Sequence, residues 1–211
     1  MDRRNFLSTA IIILGIAVIV VFVSDKRYMQ FVWIAAAGAG MMALFLGMES
    51  YRLERIAIWK NPEAYEKGYQ TIQGLYAIGS GGLFGRGFGE SIQKLGFVPE
   101  AQNDMIFSII CEELGFVGAT ILMLVFLVLI WRFMVIAVHA PDLFGSLIAA
   151  GAMGHIAIQV ILNVAVVTNT IPNTGITLPF ISYGGTSVLF LLSEMGLVLA
   201  VSRWQSEKKC I

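Results

Sequence analysis

The chain alternates long apolar runs with short polar breaks, and one polar stretch is much longer than the rest. Residues 9–23, 31–48, 114–138, 143–168 and 183–202 are each near the roughly 20 apolar residues needed to cross a bilayer. The third run has a helical lead-in from about residue 103. The pattern predicts an all-α, polytopic integral membrane protein with about five transmembrane helices. It is read as a single membrane domain over residues 1–211, with one large extracytoplasmic loop at residues 49–102. The first run is short and follows Arg3 and Arg4, as in a signal peptide. It ends in Val21, Phe22, Val23, Ser24 and Asp25 without a small-residue cleavage site, so it is read as a span.

Composition agrees. Hydrophobic residues make up 57% of the chain and charged residues 13%, against about 25% charged in soluble domains, and mean hydropathy is +0.79. The formal net charge of +0 removes the electrostatic case for a nucleic-acid partner. The two cysteines, Cys111 and Cys210, provide neither metal-ligand spacing nor a disulfide framework.

Lysine and arginine in the short connections set the orientation. Lys26, Arg27, Arg132, Arg203, Lys208 and Lys209 place one side, including the C-terminus, in the cytoplasm. The long loop and residues 169–182 then face outward, and the two cysteines lie near opposite faces. Arg3, Arg4, Arg52 and Arg55 vote the other way.

Within the long loop, residues 51–65 mix Arg52, Glu54, Arg55 and Glu63 with Leu53, Ile56, Ile58 and Trp59. This reads as an amphipathic segment on the bilayer surface with Trp59 at headgroup depth. Further on, GSGGLFGRGFG fails the GxGxxG spacing and has no GK[ST]. A tight re-entrant turn accounts for such glycines. The alternative is a backbone cradle for an anionic headgroup, with Arg86 and Lys94 supplying charge.

Asp104, Ser108 and Glu112 recur at i, i+4 and i+8, one polar face of a helix entering the membrane. Asp104 is a candidate for chemistry, or a partner of the helix dipole in the first turn. Glu112 and Glu113 need partners or water near hydrocarbon. His155, Gln159 and Asn163 form a second stripe, fit for interhelical hydrogen bonds or for lining a cavity. Glu194 shares a predicted helix face with Tyr183 and Ser187. Pro172, Gly175, Pro179, Gly184 and Gly185 predict broken backbone at membrane depth, tolerated where it is buried or lines a cavity.

Two stretches carry a resemblance. IPNTGITLPFISYGGTS at residues 171–187, together with GYQTIQ, IGSGGLFGRGFGESIQKLGFVPEAQNDMIF and EELGFVG, resembles the SEDS family: shape, elongation, division and sporulation proteins, the FtsW/RodA/SpoVE group. The likeness covers roughly residues 51–203. It implies a peptidoglycan glycosyltransferase of the bacterial cytoplasmic (inner) membrane that polymerises Lipid II and works with a class B penicillin-binding protein. The family's catalytic acid falls on Asp104. Lys94, Pro99, Glu112, Glu113, Pro172, Gly175, Pro179, Ser182, Gly184 and Gly185 fall on other motif positions. Asn169 and Thr170 depart from the usual residues. Roughly ten spans of about 20 residues need more chain than this, so the resemblance is to a C-terminal half, with an N-terminal half as an implied partner.

The chemistry this implies is attack by a sugar hydroxyl on an anomeric carbon with loss of polyprenyl pyrophosphate. That leaving group needs no general acid, so one carboxylate base suffices, unlike glycoside hydrolysis. Arg86, Lys94, Glu112, Glu113, His155, Gln159, Asn163, Ser182 and Glu194 are the candidate substrate-binding residues. No metal cage is evident, so a divalent cation, magnesium or manganese, would be held by substrate phosphates and water. The rival readings are a flippase for the lipid-linked precursor, using the span stripe, and an inactive truncated scaffold.

Overall fold

The computed structural model describes residues 4–24, 32–33, 36–38, 40 and 50–209, and among these it is helical with no strand. The helices are α1 (Arg4–Ser24), α2 (Ser50–Lys60), α3 (Tyr69–Gly81), α4 (Ile106–His139), α5 (Leu143–Val167) and α6 (Gly185–Lys209). Among the described residues, three helical stretches are long and apolar enough to cross a membrane: Ile106–His139, Leu143–Val167 and Gly185–Gln205. α1 is apolar over Thr9–Ser24, a shorter stretch. The predicted second span, residues 31–48, lies mostly outside the described residues, as do Lys26, Arg27 and Cys210.

α5 is the centre of the bundle, packed against α1, α4 and α6. Small residues make this close approach possible. Ala149, Ala150 and Ala152 are buried on α5, and a Cβ on Gly154 would come within 2.6 Å of Ile19 on α1. The apolar core continues through Phe126, Phe133, Ile156, Val160 and Val198. α3 lies against α4 and brings the first polar loop to its N-terminal end.

α4 is not one regular helix. Gly115 has φ 67 and ψ −170, so the hydrogen-bond ladder breaks there. The freed backbone groups are bonded by residues 82–87. Arg86 and Gly87 N–H donate to the carbonyls of Glu112 and Glu113, each at 3.0 Å. Phe116 and Val117 N–H donate to the carbonyls of Gly82 and Leu83, at 2.9 and 3.1 Å. Broken backbone at membrane depth survives only when protein bonds its orphan groups in this way. Glycine is required on both sides of the joint. A Cβ on Gly85 would lie 2.1 Å from the Glu113 carbonyl oxygen, and one on Gly115 would lie 2.3 Å from the Gly85 nitrogen.

One detail differs from the sequence pattern. α6 begins at Gly185, so Tyr183 precedes the helix and shares no face with Glu194. The Pro/Gly-rich turn consumes those residues first. The Trp59 indole N–H donates to the Asn169 carbonyl at 2.9 Å. Arg55 likewise donates to the Asn173 carbonyl at 2.5 Å, pinning α2 onto the second polar loop.

Candidate functional site

Asp104 lies in a turn two residues before α4 rather than in its first turn, and no side chain caps that helix. The turn is held from below and from the side. Asn163 on α5, fully buried, donates to the Asp104 carbonyl at 2.8 Å and to the Ile176 carbonyl at 2.7 Å. The Ser182 hydroxyl donates to the Asn103 carbonyl and accepts from the Leu178 N–H, both at 2.7 Å. Tyr183 N–H donates to the Gln102 carbonyl at 2.8 Å. The two polar loops, far apart in sequence, are thus joined around Asp104.

Its carboxylate is less firmly held. The Gln70 amide on α3 donates to its two oxygens at 3.3 and 3.5 Å. Only 8% of the residue is exposed. Burial pushes the carboxyl up from 3.8 to about 6. Its own backbone N–H pulls the value back, the Glu100 charge adds to the rise, and the Gln70 amide opposes it. A buried carboxylate with a value near 6 and few partners can take a proton at neutral pH.

Glu112 and Glu113 have a different environment. Glu112 is 1% exposed. It accepts from the Ser91 hydroxyl at 2.5 Å and from the Ile92 and Gln93 N–H groups at 3.2 and 3.3 Å, with the Arg86 guanidinium 3.7 Å away. Glu113 takes the Lys94 ammonium at 2.6 Å, and that ammonium also donates to the Gly89 carbonyl at 2.5 Å. The two acids close residues 86–94 into a clasp against α4. Lys94 is engaged in this clasp and Glu112 is enclosed by it.

The second stripe separates in the same way. His155 Nδ1 meets the Glu194 carboxylate at 2.9 Å, an α5–α6 bridge. Asn163 is a clamp beneath Asp104 rather than a cavity wall. The Gln159 Oε1 and Asn163 Oδ1 atoms are buried without a hydrogen-bond partner among the described residues. Gln70 and Ser91 were not singled out from the sequence. Gln70 had no signal beyond its place in GYQTIQ, and Ser91 was one polar residue in a glycine-rich loop.

Among the described residues no group of three or more His, Cys, Asp or Glu side chains could hold a metal ion. Asp104 with Glu100 nearby offers two carboxylates, one of them exposed.

Residues 3–207 match the model of the FtsW/RodA/SpoVE family, described as cell cycle proteins. Stage V sporulation protein E of Bacillus subtilis is 47% identical over 201 residues, covering 94% of this chain and 55% of that protein. The "Probable peptidoglycan glycosyltransferase FtsW" of Trichlorobacter lovleyi is 41% identical, covering 95% of this chain and 53% of its own length. A chain from a solved peptidoglycan synthase complex that coordinates polymerization and crosslinking superposes with a TM-score of 0.72 at 31% identity, over 93% of this chain and 55% of that one. The rod shape determining protein RodA of Thermus thermophilus, solved as an Asp-to-Ala mutant, superposes with a TM-score of 0.60 at 29% identity, over 93% and 50%. The chain spans about half the length of the curated relatives it matches.

Proposed function

The chain belongs to the FtsW/RodA/SpoVE family of cell cycle proteins, and from that premise we propose that it carries the catalytic half of a peptidoglycan glycosyltransferase. The substrate is Lipid II, the membrane is the bacterial inner membrane with the C-terminus in the cytoplasm, and a class B penicillin-binding protein is the partner. The observation that carries this reading is the Asp104 carboxylate, buried, raised to about 6, with the Gln70 amide as its side-chain donor at 3.3 and 3.5 Å.

In the reaction the acceptor sugar hydroxyl gives its proton to Asp104. Its oxygen forms a bond to the anomeric carbon of the second lipid-linked glycan. The bond from that carbon to the pyrophosphate oxygen breaks, and polyprenyl pyrophosphate departs as the anion. A base placed this way contributes about 10²–10⁴-fold. Gln70 orients the carboxylate, and the Asn163 and Ser182 bonds hold its backbone. Any divalent cation travels with the substrate phosphates, and no step here passes through a protein-bound metal.

A flippase would draw on the span stripe. Two of that stripe's members are already engaged, His155 with Glu194 and Asn163 with two backbone carbonyls. The transferase reading is tested by Lipid II polymerisation with this chain plus the first half of its relatives, supplied as a separate polypeptide. Asp104→Asn should abolish glycan strands on a gel while the protein still inserts into membranes. Strands at the unsubstituted level would remove Asp104 as the base.

A further inference from the structure

Residues 82–97 carry large apolar side chains that the fold leaves bare. Leu83 is 65% exposed, Phe84 80% and Phe88 88%, and Ile92, Leu95 and Phe97 are exposed as well. A loop standing in water rarely keeps so many large apolar groups uncovered. This loop cannot fold inward to hide them, because its backbone is bonded to α4 on both sides of the Gly115 break and its bases Arg86 and Lys94 are paired with Glu112 and Glu113 of α4.

The height of the loop follows from those bonds. From residue 116 onward α4 runs about 24 residues, about 36 Å, against a hydrocarbon core of about 30 Å. Residues 116 and 117 therefore sit at one edge of that core. Their N–H groups bond to the carbonyls of Gly82 and Leu83, which places the start of the loop at the same depth. The adjoining surface of α4, through Phe116, Val117, Ile121 and Leu124, is also bare and apolar. Loop and span form one greasy surface. The charges that would oppose insertion are matched, since Arg86 lies 3.7 Å from Glu112 and Lys94 holds Glu113. Glu90, exposed between them, is short enough to require water nearby.

We infer that residues 82–97 are a lipid-inserting anchor. Leu83, Phe84 and Phe88 enter the acyl-chain boundary of the leaflet on the Asp104 side, while Glu90 stays at the water edge. The anchor depends on α4 crossing a bilayer and not on the transferase reading. Where that reading also holds, the anchor fixes the height of the Asp104 turn above the leaflet that holds a lipid-linked substrate.

The test needs no substitution at first. The unaltered protein is reconstituted in vesicles of phosphatidylethanolamine and phosphatidylglycerol containing a lipid with a photoactivatable diazirine in its acyl chain, then irradiated and mapped by mass spectrometry. Adducts on residues 83–88 are expected, alongside those on residues 121–128 of the span. Adducts on the span with none on residues 83–88 would overturn the anchor. A second measurement attaches nitroxides through Phe84→Cys, Phe88→Cys and Glu90→Cys in a Cys111→Ala, Cys210→Ala background. The ratio of oxygen to nickel-complex relaxation should be several-fold higher at 84 and 88 than at 90. Equal ratios would put the loop in water. Shielding from both reagents would make the patch a protein contact. Either result would overturn the proposal.

Discussion

Two acidic sites lie about two helical turns apart and have opposite characters. Glu112 is enclosed by a hydroxyl, two backbone N–H groups and a guanidinium. Asp104 receives its own backbone N–H and one side-chain amide at long range, with the charge of Glu100 nearby. The first arrangement satisfies a charge and locks a loop. The second leaves a charge under-satisfied and ready to accept a proton. Burial is similar at the two places, so the number and kind of partners separate a structural carboxylate from a reactive one.

The contrast can be broken most strongly at Asp104. Asp104→Ala should lower polymerisation by about 10²–10⁴-fold, with little change in the size-exclusion profile in detergent. The same assay on Glu112→Ala should show lost activity together with lost folded protein. Equal folded yields for the two variants would erase the distinction.

Next in size is the joint that separates the two sites. Gly85→Ala places a methyl group against the Glu113 carbonyl at a φ of 78. Left-handed backbone strain and the clash together should cost about 2 kcal/mol or more, read as a lower midpoint in thermal unfolding in detergent. Glu112→Ala leaves the Ser91 hydroxyl and the loop N–H groups without their acceptor and should destabilise by about 1–3 kcal/mol.

A finer test uses pH. The base must be ionised, so turnover should rise as pH increases through about 6. Gln70 favours the ionised form, so Gln70→Ala should move the midpoint of that rise upward while leaving stability nearly unchanged. A midpoint that stays in place would show that Gln70 does not set the state of Asp104. The smallest effect is expected from Lys94→Ala, since a partly exposed ion pair contributes about 0–1 kcal/mol. A collapse of turnover there with folding intact would return Lys94 to the substrate.

The apolar runs determined the helical membrane fold, because each span must satisfy its own backbone and shows this in length and hydropathy. They set the ends of α5 to within a residue. They missed the start of α6 at Gly185, where proline and glycine interrupt an otherwise apolar pattern. The glycine-rich segment announced a tight re-entrant turn, and the resemblance singled out Asp104. The acids themselves could not be ranked from sequence, since Asp104, Glu112, Glu113 and Glu194 are all carboxylates at or near a membrane span. Only the tertiary structure decided which had partners. Ser91, 21 residues from Glu112, and Asn163, 59 residues from Asp104, come into reach only when the loops close over α4 and α5. Hydropathy records what a segment must hide from water. It carries no record of which distant donor will meet a given oxygen, and that meeting separates the locked carboxylate from the free one.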